Sequence, residues 1–456
     1  MAVTELTPDH LKPLLAPLHE RRFVVALSGG LDSVVLLELM QRLRSEGVIA
    51  RLSALHVNHQ LSPNALDWEQ HCRALCERWQ VPLETVPVTL DARGANLEEQ
   101  AREARYEAMA QHCGANDCFL LAHHQQDQAE TLLYRLVRGS GARGLGSIPR
   151  RRQLGAGELL RPLLDHSRSQ LLDYGKSRDL RWVEDESNRS LRFDRNYLRH
   201  RVLPAFRQRW PDIDSRLARQ AQRMAGDAEL LDQLAALDLA ASQVSSPDAW
   251  LSGYPMLSWQ PLREQSPSRQ RNLLRFWLRQ LGVAVPGEAL CEQLLALANS
   301  RVDANPCVQW QGWEINRYRG VLVVHKRFAP PGESGTFFLR EGDLALVNNG
   351  QLRVRQASLQ KHRLCTDLGP LRIGYRCDGF EPERIKLAGR RGSKSYKKLM
   401  QEQGVPPWLR DRWPLLICGT ELVAVPSIGV LEGFSAPSEE EGFELVWQVP
   451  KWGGSD

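Results

Sequence analysis

The sequence predicts the α/β class: a parallel-sheet domain at residues 1–211, a helical and mixed middle domain at 212–328, and a small α+β C-terminal domain at 337–456. Two observations carry this. Over the first 140 residues, short apolar runs alternate with segments whose apolar residues recur every three or four positions. The unit repeats about every 30 residues, the mark of βαβ crossovers and a parallel sheet. Past Ala329–Thr336 (APPGESGT), which reads as a linker, the pattern changes to short strands with one helix near Ser395–Gln403.

In chain order, strands are expected at Phe23–Leu27, Leu52–Val57, Leu83–Val88 and Cys118–Ala122. A helix carrying Val34, Val35, Leu37 and Leu39 follows the first. Ala65, Trp68, Cys72, Leu75 and Trp79 mark a helix between the second and third; Leu97, Ala101, Ala104 and Ala108 mark another between the third and fourth. After Gly139 the pattern breaks into Gly-, Arg- and Pro-rich loops and resumes as short helical pieces up to Trp210. Residues 212–243 read as one long helix, and 256–325 as a mixed region ending in a strand at Gly320–His325.

The 456 residues, 42% hydrophobic and 25% charged, lie in the ordinary globular range and exclude disordered or fibrous classes. No run approaches the roughly 18–20 apolar residues of a membrane span, and the first residues carry acids where a signal peptide has bases, so a cytoplasmic protein is expected. The nine cysteines form no Cys-x-x-Cys pair, which argues against a redox pair or a zinc ribbon and for small buried hydrophobes. Charge is uneven. Arg138–Trp210 holds 17 basic against 8 acidic residues, and Arg384–Lys398 holds seven basic residues and no acid. Such patches suit a polyanion, since each neutralised phosphate releases counterions; a solvated basic face is the bland alternative.

The strongest motif is Ser28-Gly29-Gly30-Leu31-Asp32-Ser33, set directly between the strand FVVAL and a helix. Two glycines let the chain turn tightly, so that N–H groups and the helix N-terminus converge on an anion, with Ser28 and Ser33 adding hydroxyls. The Walker ending Gly-Lys-Ser/Thr is absent. A loop carrying Asp32 instead suits a pyrophosphate leaving group with Mg²⁺ between it and the carboxylate. Gly139–Gly144 fits G-x-G-x-x-G but follows a helical pattern and no strand, so a dinucleotide reading fails and a flexible substrate loop is expected.

Two polar clusters fall where the carboxyl ends of sheet strands should lie, the ligand side of open α/β sheets. The second strand ends in His56-Val57-Asn58-His59; the fourth runs into His123-His124-Gln125-Gln126-Asp127-Gln128-Ala129-Glu130. Helical spacing puts His123, Asp127 and Glu130 on one face. A zinc site lacks a third orthodox ligand, which leaves polar recognition or Mg²⁺ work, and for His59 and His124 a structural role stays open. Arg102 and Arg105 in NLEEQAREARY (96–106) are either a surface ion-pair face with Glu98 or a guanidinium pair for phosphate.

Together these segments resemble the PP-loop ATP pyrophosphatase superfamily, and within it the tRNA(Ile)-lysidine synthetase family. The matching pieces are SGGLDS (28–33), LHVNHQL (55–61), NLEEQAREARY, AHHQQDQAET (122–131), RGSGARGLGSIP (138–149), DESNRSLRFDRNYLRHRVLP (185–204) and GVPPWLRDRWPLL (404–416). The first motif defines only the superfamily; the set in this order is specific to the family.

The resemblance implies ATP-dependent ligation of free L-lysine to carbon 2 of the wobble cytidine in the CAU anticodon of tRNA(Ile), through an adenylated cytidine, giving AMP and pyrophosphate. Carried onto this chain, it implies that Ser28, Gly29, Gly30, Leu31, Asp32 and Ser33 hold the ATP phosphates, with Asp32 touching Mg²⁺ and His56 bordering the adenine. Arg102, Arg105, His123, Asp127 and Glu130 would surround the cytidine and lysine. Arg195, Asn196 and Arg199 match an Arg-Asn-x-x-Arg element that engages tRNA or the adenylate, and Arg390, Arg391, Lys394, Lys397 and Lys398 would bind tRNA from the tail. No membrane and no obligate protein partner are implied. A sister PP-loop thiolase or amide-forming enzyme, or a non-catalytic tRNA-binding module, is the alternative reading.

Overall fold

The computed structural model describes residues 5–60, 62–89, 97–184, 194–244, 249–301, 306–333, 335–357, 363–380, 382–437 and 441–453. Of the sequence motifs, Leu61, Asn96 and 185–193 lie outside the described residues, as does the side chain of Glu98. The chain divides into two compact units, Met1–Leu230 and Leu231–Asp456, and the predicted long helix, Ile213–Ala241, runs across the division.

The first unit is built on β1 (Arg22–Ala26), β2 (Arg51–Asn58), β3 (Leu83–Pro87), β4 (Asp117–Leu120), β5 (Arg151–Leu154) and β6 (Gly157–Leu160), in the order β3-β2-β1-β4-β6-β5. All neighbours are parallel except the β5–β6 hairpin. Phe23 and Val25 of β1 face one apolar core and Val24 the other, the alternation of a strand covered on both faces. On the first face lies the helix Leu31–Ser45, which buries Val34, Val35, Leu36, Leu37, Leu39, Met40 and Leu43.

The sheet order reverses between β1 and β4, because the chain steps outward through β2 and β3 and then returns. A ligand crevice belongs at the carboxyl ends of those two strands. At their opposite ends Arg22 grips Asp117 with two hydrogen bonds of 2.8 and 2.6 Å. The β5–β6 hairpin corrects the expectation of loops and helical pieces alone after Gly139. Arginines at Arg151 and Arg152 hide β5, since an edge strand with one exposed side needs no apolar alternation.

In the second unit, β7 (Met256–Ser258), β8 (Cys307–Trp310), β9 (Trp313–Tyr318) and β10 (Val321–Lys326) form an antiparallel sheet, order β7-β10-β9-β8. The helices Pro267–Gln280 and Glu288–Ala298 pack against it through Leu273, Leu274, Trp277 and Leu294. The tail has two further sheets: β11 (Gly342–Ala345), β12 (Gln351–Ala357) and β17 (Gly442–Gln448) in one, and β13 (Leu371–Gly374), β14 (Leu415–Cys418), β15 (Glu421–Val425) and β16 (Gly429–Val430) in the other. The predicted tail helix is Tyr396–Glu402, its first turn capped by the Ser395 hydroxyl. Trp413 fills the core around it, wholly buried, with its indole N–H on the Pro426 carbonyl at 3.0 Å. No described helix is long and apolar enough to cross a membrane. The nine cysteines are free, five of them buried.

Candidate active site

Between β1 and the helix Leu31–Ser45 the chain turns through Gly29 at φ +84°, where a side chain would be strained and its Cβ would come within 3.1 Å of both Cys72 Sγ and Val183 Cγ2. The Val183 N–H donates to the Gly29 carbonyl at 3.0 Å. Ser33 locks the turn: its Oγ donates to the Gly30 carbonyl (3.0 Å), accepts from the Ser28 N–H (3.2 Å) and meets Ser28 Oγ at 3.1 Å. The first helical bond is Val34 N–H to Gly30, so the N–H groups of Leu31, Asp32 and Ser33 have no acceptor within their own helix. They form an anion cradle. Leu31 can contribute only its backbone, because its side chain is buried in the core.

His56, at the end of β2, is buried and its Nδ1 donates to the Leu27 carbonyl at 2.8 Å, which fixes the last residue before the loop. Asn58 holds Glu69 (3.0 Å) and the Gln60 N–H (3.0 Å), shaping the turn that follows. Burial pushes the neighbouring His59 down to about 4, helped by the Arg105 charge, so the ring is neutral at physiological pH.

The fourth strand delivers the second half of the crevice. The helix Gln125–Val137 starts with a reciprocal cap: the Gln126 N–H donates to His124 Nδ1 (3.2 Å), and the His124 N–H donates to Asp127 Oδ2 (2.9 Å). Accepting at Nδ1 leaves the other ring nitrogen, Nε2, to carry the proton, and it stands 3.6 Å from both Asp32 and Asp127. One buried histidine therefore bridges the Gly29–Ser33 turn and the helix of predicted acids.

Arg199 closes the cluster. It lies in a π-helical turn, Leu198–Val202, and reaches Glu130 with two bonds of 2.6 and 2.7 Å and Asp127 at 3.4 Å. The environment separates the two carboxylates. Burial would raise Asp127, but His124, His123, the His124 N–H and Arg199 together hold it below the usual range. Burial lifts Glu130 above its ordinary value against the opposing pull of Arg199. Burial also opposes the Arg199 charge, yet Glu130 and Asp127 raise its pKa and keep it a cation. The His124 ring, penalised by burial, is nonetheless raised by Asp127 and Asp32.

Around this centre Arg102 lies over the Tyr106 ring at 5.3 Å, and the Arg105 charge bears on both His59 and His123. Arg195 lies over the Tyr134 ring at 5.8 Å, with Asn196 beside it in the helix Asp194–Tyr197. Gly139–Gly144, expected as a flexible substrate loop, is tied to the helix Gln125–Val137 where Arg135 donates to the carbonyls of Gly144 (2.6 Å) and Ser147 (2.8 Å). Of the tail cations, Lys394 pairs with Glu402, and Lys386 pairs with Glu432 at 2.5 Å; Arg390, Arg391, Lys397 and Lys398 stand exposed.

Three domain models match the chain: a PP-loop domain over residues 4–206, a TilS substrate binding domain over 257–323, and a TilS substrate C-terminal domain over 371–447. The tRNA(Ile)-lysidine synthase of Coxiella burnetii is 39% identical, covering 98% of this chain and 97% of that protein. Those of Pseudomonas fluorescens (40%; 96% and 95%) and Escherichia coli O157:H7 (38%; 94% and 97%) are similarly related. The chain belongs to the tRNA(Ile)-lysidine synthase family.

That membership accounts for a cradle built without a Walker lysine and for three successive domains on one chain. Within the family frame, spacing alone left two parts of the pocket unread. The structural role left open for His124 is present, since it caps the helix Gln125–Val137, and the same ring also stands between Asp32 and Asp127. Arg161 carried no motif; its one signal is its place immediately after β6, at the ligand end of a sheet strand. Asp32 fits a hard cation. Its Oδ1 is buried without a hydrogen-bond partner, while no group of three or more His, Cys, Asp or Glu among the described residues could hold a metal by itself. That matches Mg²⁺, which takes one or two carboxylates and completes its shell with water and phosphate.

Proposed function

We propose that this protein is an ATP-dependent ligase that joins lysine to the wobble cytidine of an isoleucine tRNA with a CAU anticodon. The observation that carries the reading is the single cluster Asp32, His124, Asp127, Glu130 and Arg199, set at the β1/β4 switch point against an anion cradle. A tRNA-binding module without chemistry needs neither the cradle nor carboxylates driven apart in pKa.

In this reading the N–H groups at Leu31, Asp32 and Ser33 and the hydroxyl of Ser28 hold the ATP phosphates, and the His56 turn borders the adenine. Asp32 would hold Mg²⁺, which when bound would supply charge neutralisation for the leaving pyrophosphate. The cytidine oxygen on carbon 2 attacks the α-phosphorus as the bond to pyrophosphate breaks. The side-chain amine of lysine then attacks carbon 2, AMP departs with the former carbonyl oxygen, and the ammonium proton passes to a carboxylate.

Asp127 suits that last task by access and not by basicity: its neighbours hold it below the usual carboxylate range, but its side chain is 20% exposed whereas that of Glu130 is 5% exposed and locked on Arg199. Arg102 and Arg105 would surround the cytidine and lysine, and Arg195 and Asn196 would engage the tRNA or the adenylate. Arg390, Arg391, Lys394, Lys397 and Lys398 in the tail would bind tRNA phosphates away from the reacting base. The three functional segments would follow the divisions 1–211, 212–328 and 337–456, in a cytoplasmic protein.

Nucleoside mass spectrometry of CAU-anticodon isoleucine tRNA after incubation with protein, ATP, Mg²⁺ and lysine tests the reading. Lysidine should form with one AMP and one pyrophosphate per nucleoside. A thiolated or otherwise amidated base, or ADP as product, would replace it with a sister chemistry.

A further inference from the structure

Arg161 is one of the largest fully buried side chains in the molecule, 2% exposed, and among the described residues no carboxylate pairs with it. An arginine stays charged in such a place, and a buried cation without a counter-ion is costly unless its donors are all used. Each of the three Arg161 nitrogens has a target, which uses three of the five N–H donors. Nε donates to His123 Nδ1 at 3.2 Å, Nη1 to the Pro149 carbonyl, and Nη2 to the Tyr106 hydroxyl at 3.1 Å. Two further guanidiniums lie over the Tyr106 ring, Arg152 4.2 Å and Arg102 5.3 Å from its centroid.

The contact with His123 has a chemical consequence. A guanidinium has no lone pair to offer and can only donate, so His123 Nδ1 must accept and cannot carry a proton. The remaining nitrogen, Nε2, then bears the one proton of a neutral ring. We infer that Arg161 is a positioning residue that fixes His123 as a neutral Nε2–H donor aimed at an oxygen of the substrate or nucleotide, and so removes His123 from proton transfer. This inference rests on the pocket being the adenylating centre.

The surroundings agree. Burial pushes His123 down to about 3, and Arg161, Arg105 and Arg102 add to that push. Asp127, in the first turn of the helix that begins two residues after His123, is the one facing group that pulls the other way. The neighbouring histidine has the opposite setting, since His124 faces two carboxylates. Two adjacent histidines thus receive different tasks: His123 donates a fixed hydrogen bond, and proton traffic is left to Asp127 with His124 beside it.

Nitrogen-15 spectra of histidine-labelled protein, with His123 assigned by a His123→Gln variant, read the tautomer directly and need no turnover. In the wild type, His123 should remain the neutral Nε2–H form from pH 5 to pH 8. In Arg161→Met it should lose that fixed tautomer and begin to titrate, kcat should fall on the order of 10²-fold, as for loss of one preorganised donor, and the KM for ATP should move little. Arg161→Lys, which keeps a buried donor, should recover part of both. A wild-type His123 that is charged at pH 6 or protonated at Nδ1 would overturn the inference, as would an unchanged tautomer in Arg161→Met. Should the protein make no lysidine at all, the proposed activity fails while the spectra still decide the tautomer.

Discussion

Replacing Asp127 with Asn separates chemistry from folding at the centre of the pocket, because the structure gives its two oxygens different work. Oδ2 accepts the His124 N–H at 2.9 Å, and an amide oxygen can still accept that bond. Oδ1 meets Arg199 at 3.4 Å, but Arg199 keeps its stronger partner, Glu130, at 2.6 and 2.7 Å. The stability lost should therefore be about 1 kcal/mol, nearer a weakened cap than a broken buried pair. For a unit of this size that corresponds to roughly 2–4 °C in Tm. The carboxylate charge, however, is gone, and with it the acceptor proposed for the lysine ammonium proton. Lysidine formation should drop on the order of 10²–10³-fold, comparable with losing one preorganised electrostatic contact, while tRNA binding is retained. Differential scanning fluorimetry and a lysine-incorporation assay measure the two effects side by side. A Tm fall beyond about 10 °C with unchanged activity per folded molecule would mean that Asp127 serves the fold and the reasoning is wrong.

The same cluster and its surroundings give three further predictions. Asp32→Ala should slow AMP and pyrophosphate release by about 10²-fold and weaken the dependence on Mg²⁺, measured by nucleotide chromatography over a metal titration; an unchanged Mg²⁺ dependence would remove Asp32 from the metal. Asp117→Asn, at the far end of β1 and β4, should cost about 1–2 kcal/mol without touching activity. Arg22 holds the Asp117 carboxyl below the usual range in the fold, so this contribution is complete above the unfolded aspartate value of about 3.9 and is lost as pH falls through the lower folded value; urea melts of both proteins should converge in acid and diverge near neutrality. Arg390, Arg391, Lys397 and Lys398 changed together to Ala should weaken full-length tRNA binding and flatten its salt dependence, with pyrophosphate release at saturating tRNA largely intact; filter binding at several salt concentrations with both affinity and slope unchanged would make them a solvated face.

Much of this was legible in the sequence because it rests on neighbours along the chain. The apolar run at Phe23–Leu27, the glycine at Gly29 whose φ of +84° needs one, and the spacing of Asp127 and Glu130 are local patterns that fell in the element expected, whereas His123, expected on the same helix face, lies two residues before the helix Gln125–Val137 begins. Local pattern failed where a residue answers to something distant. Arg151 and Arg152 lie on an edge strand and carry no periodicity to read, and the Arg384–Lys398 run is partly neutralised by Glu402 and Glu432 from outside it. The pocket itself was decided by topology. Only the reversal of strand order between β1 and β4 brings Asp32 to His124 across some 90 positions of chain, and only the fold returns Arg199 to Glu130 and Arg161 to His123. Sequence thus determined which groups could do the chemistry. The tertiary structure determined their charge states, because a carboxylate or imidazole takes its pKa from burial and from charges that come near it only once the chain is folded.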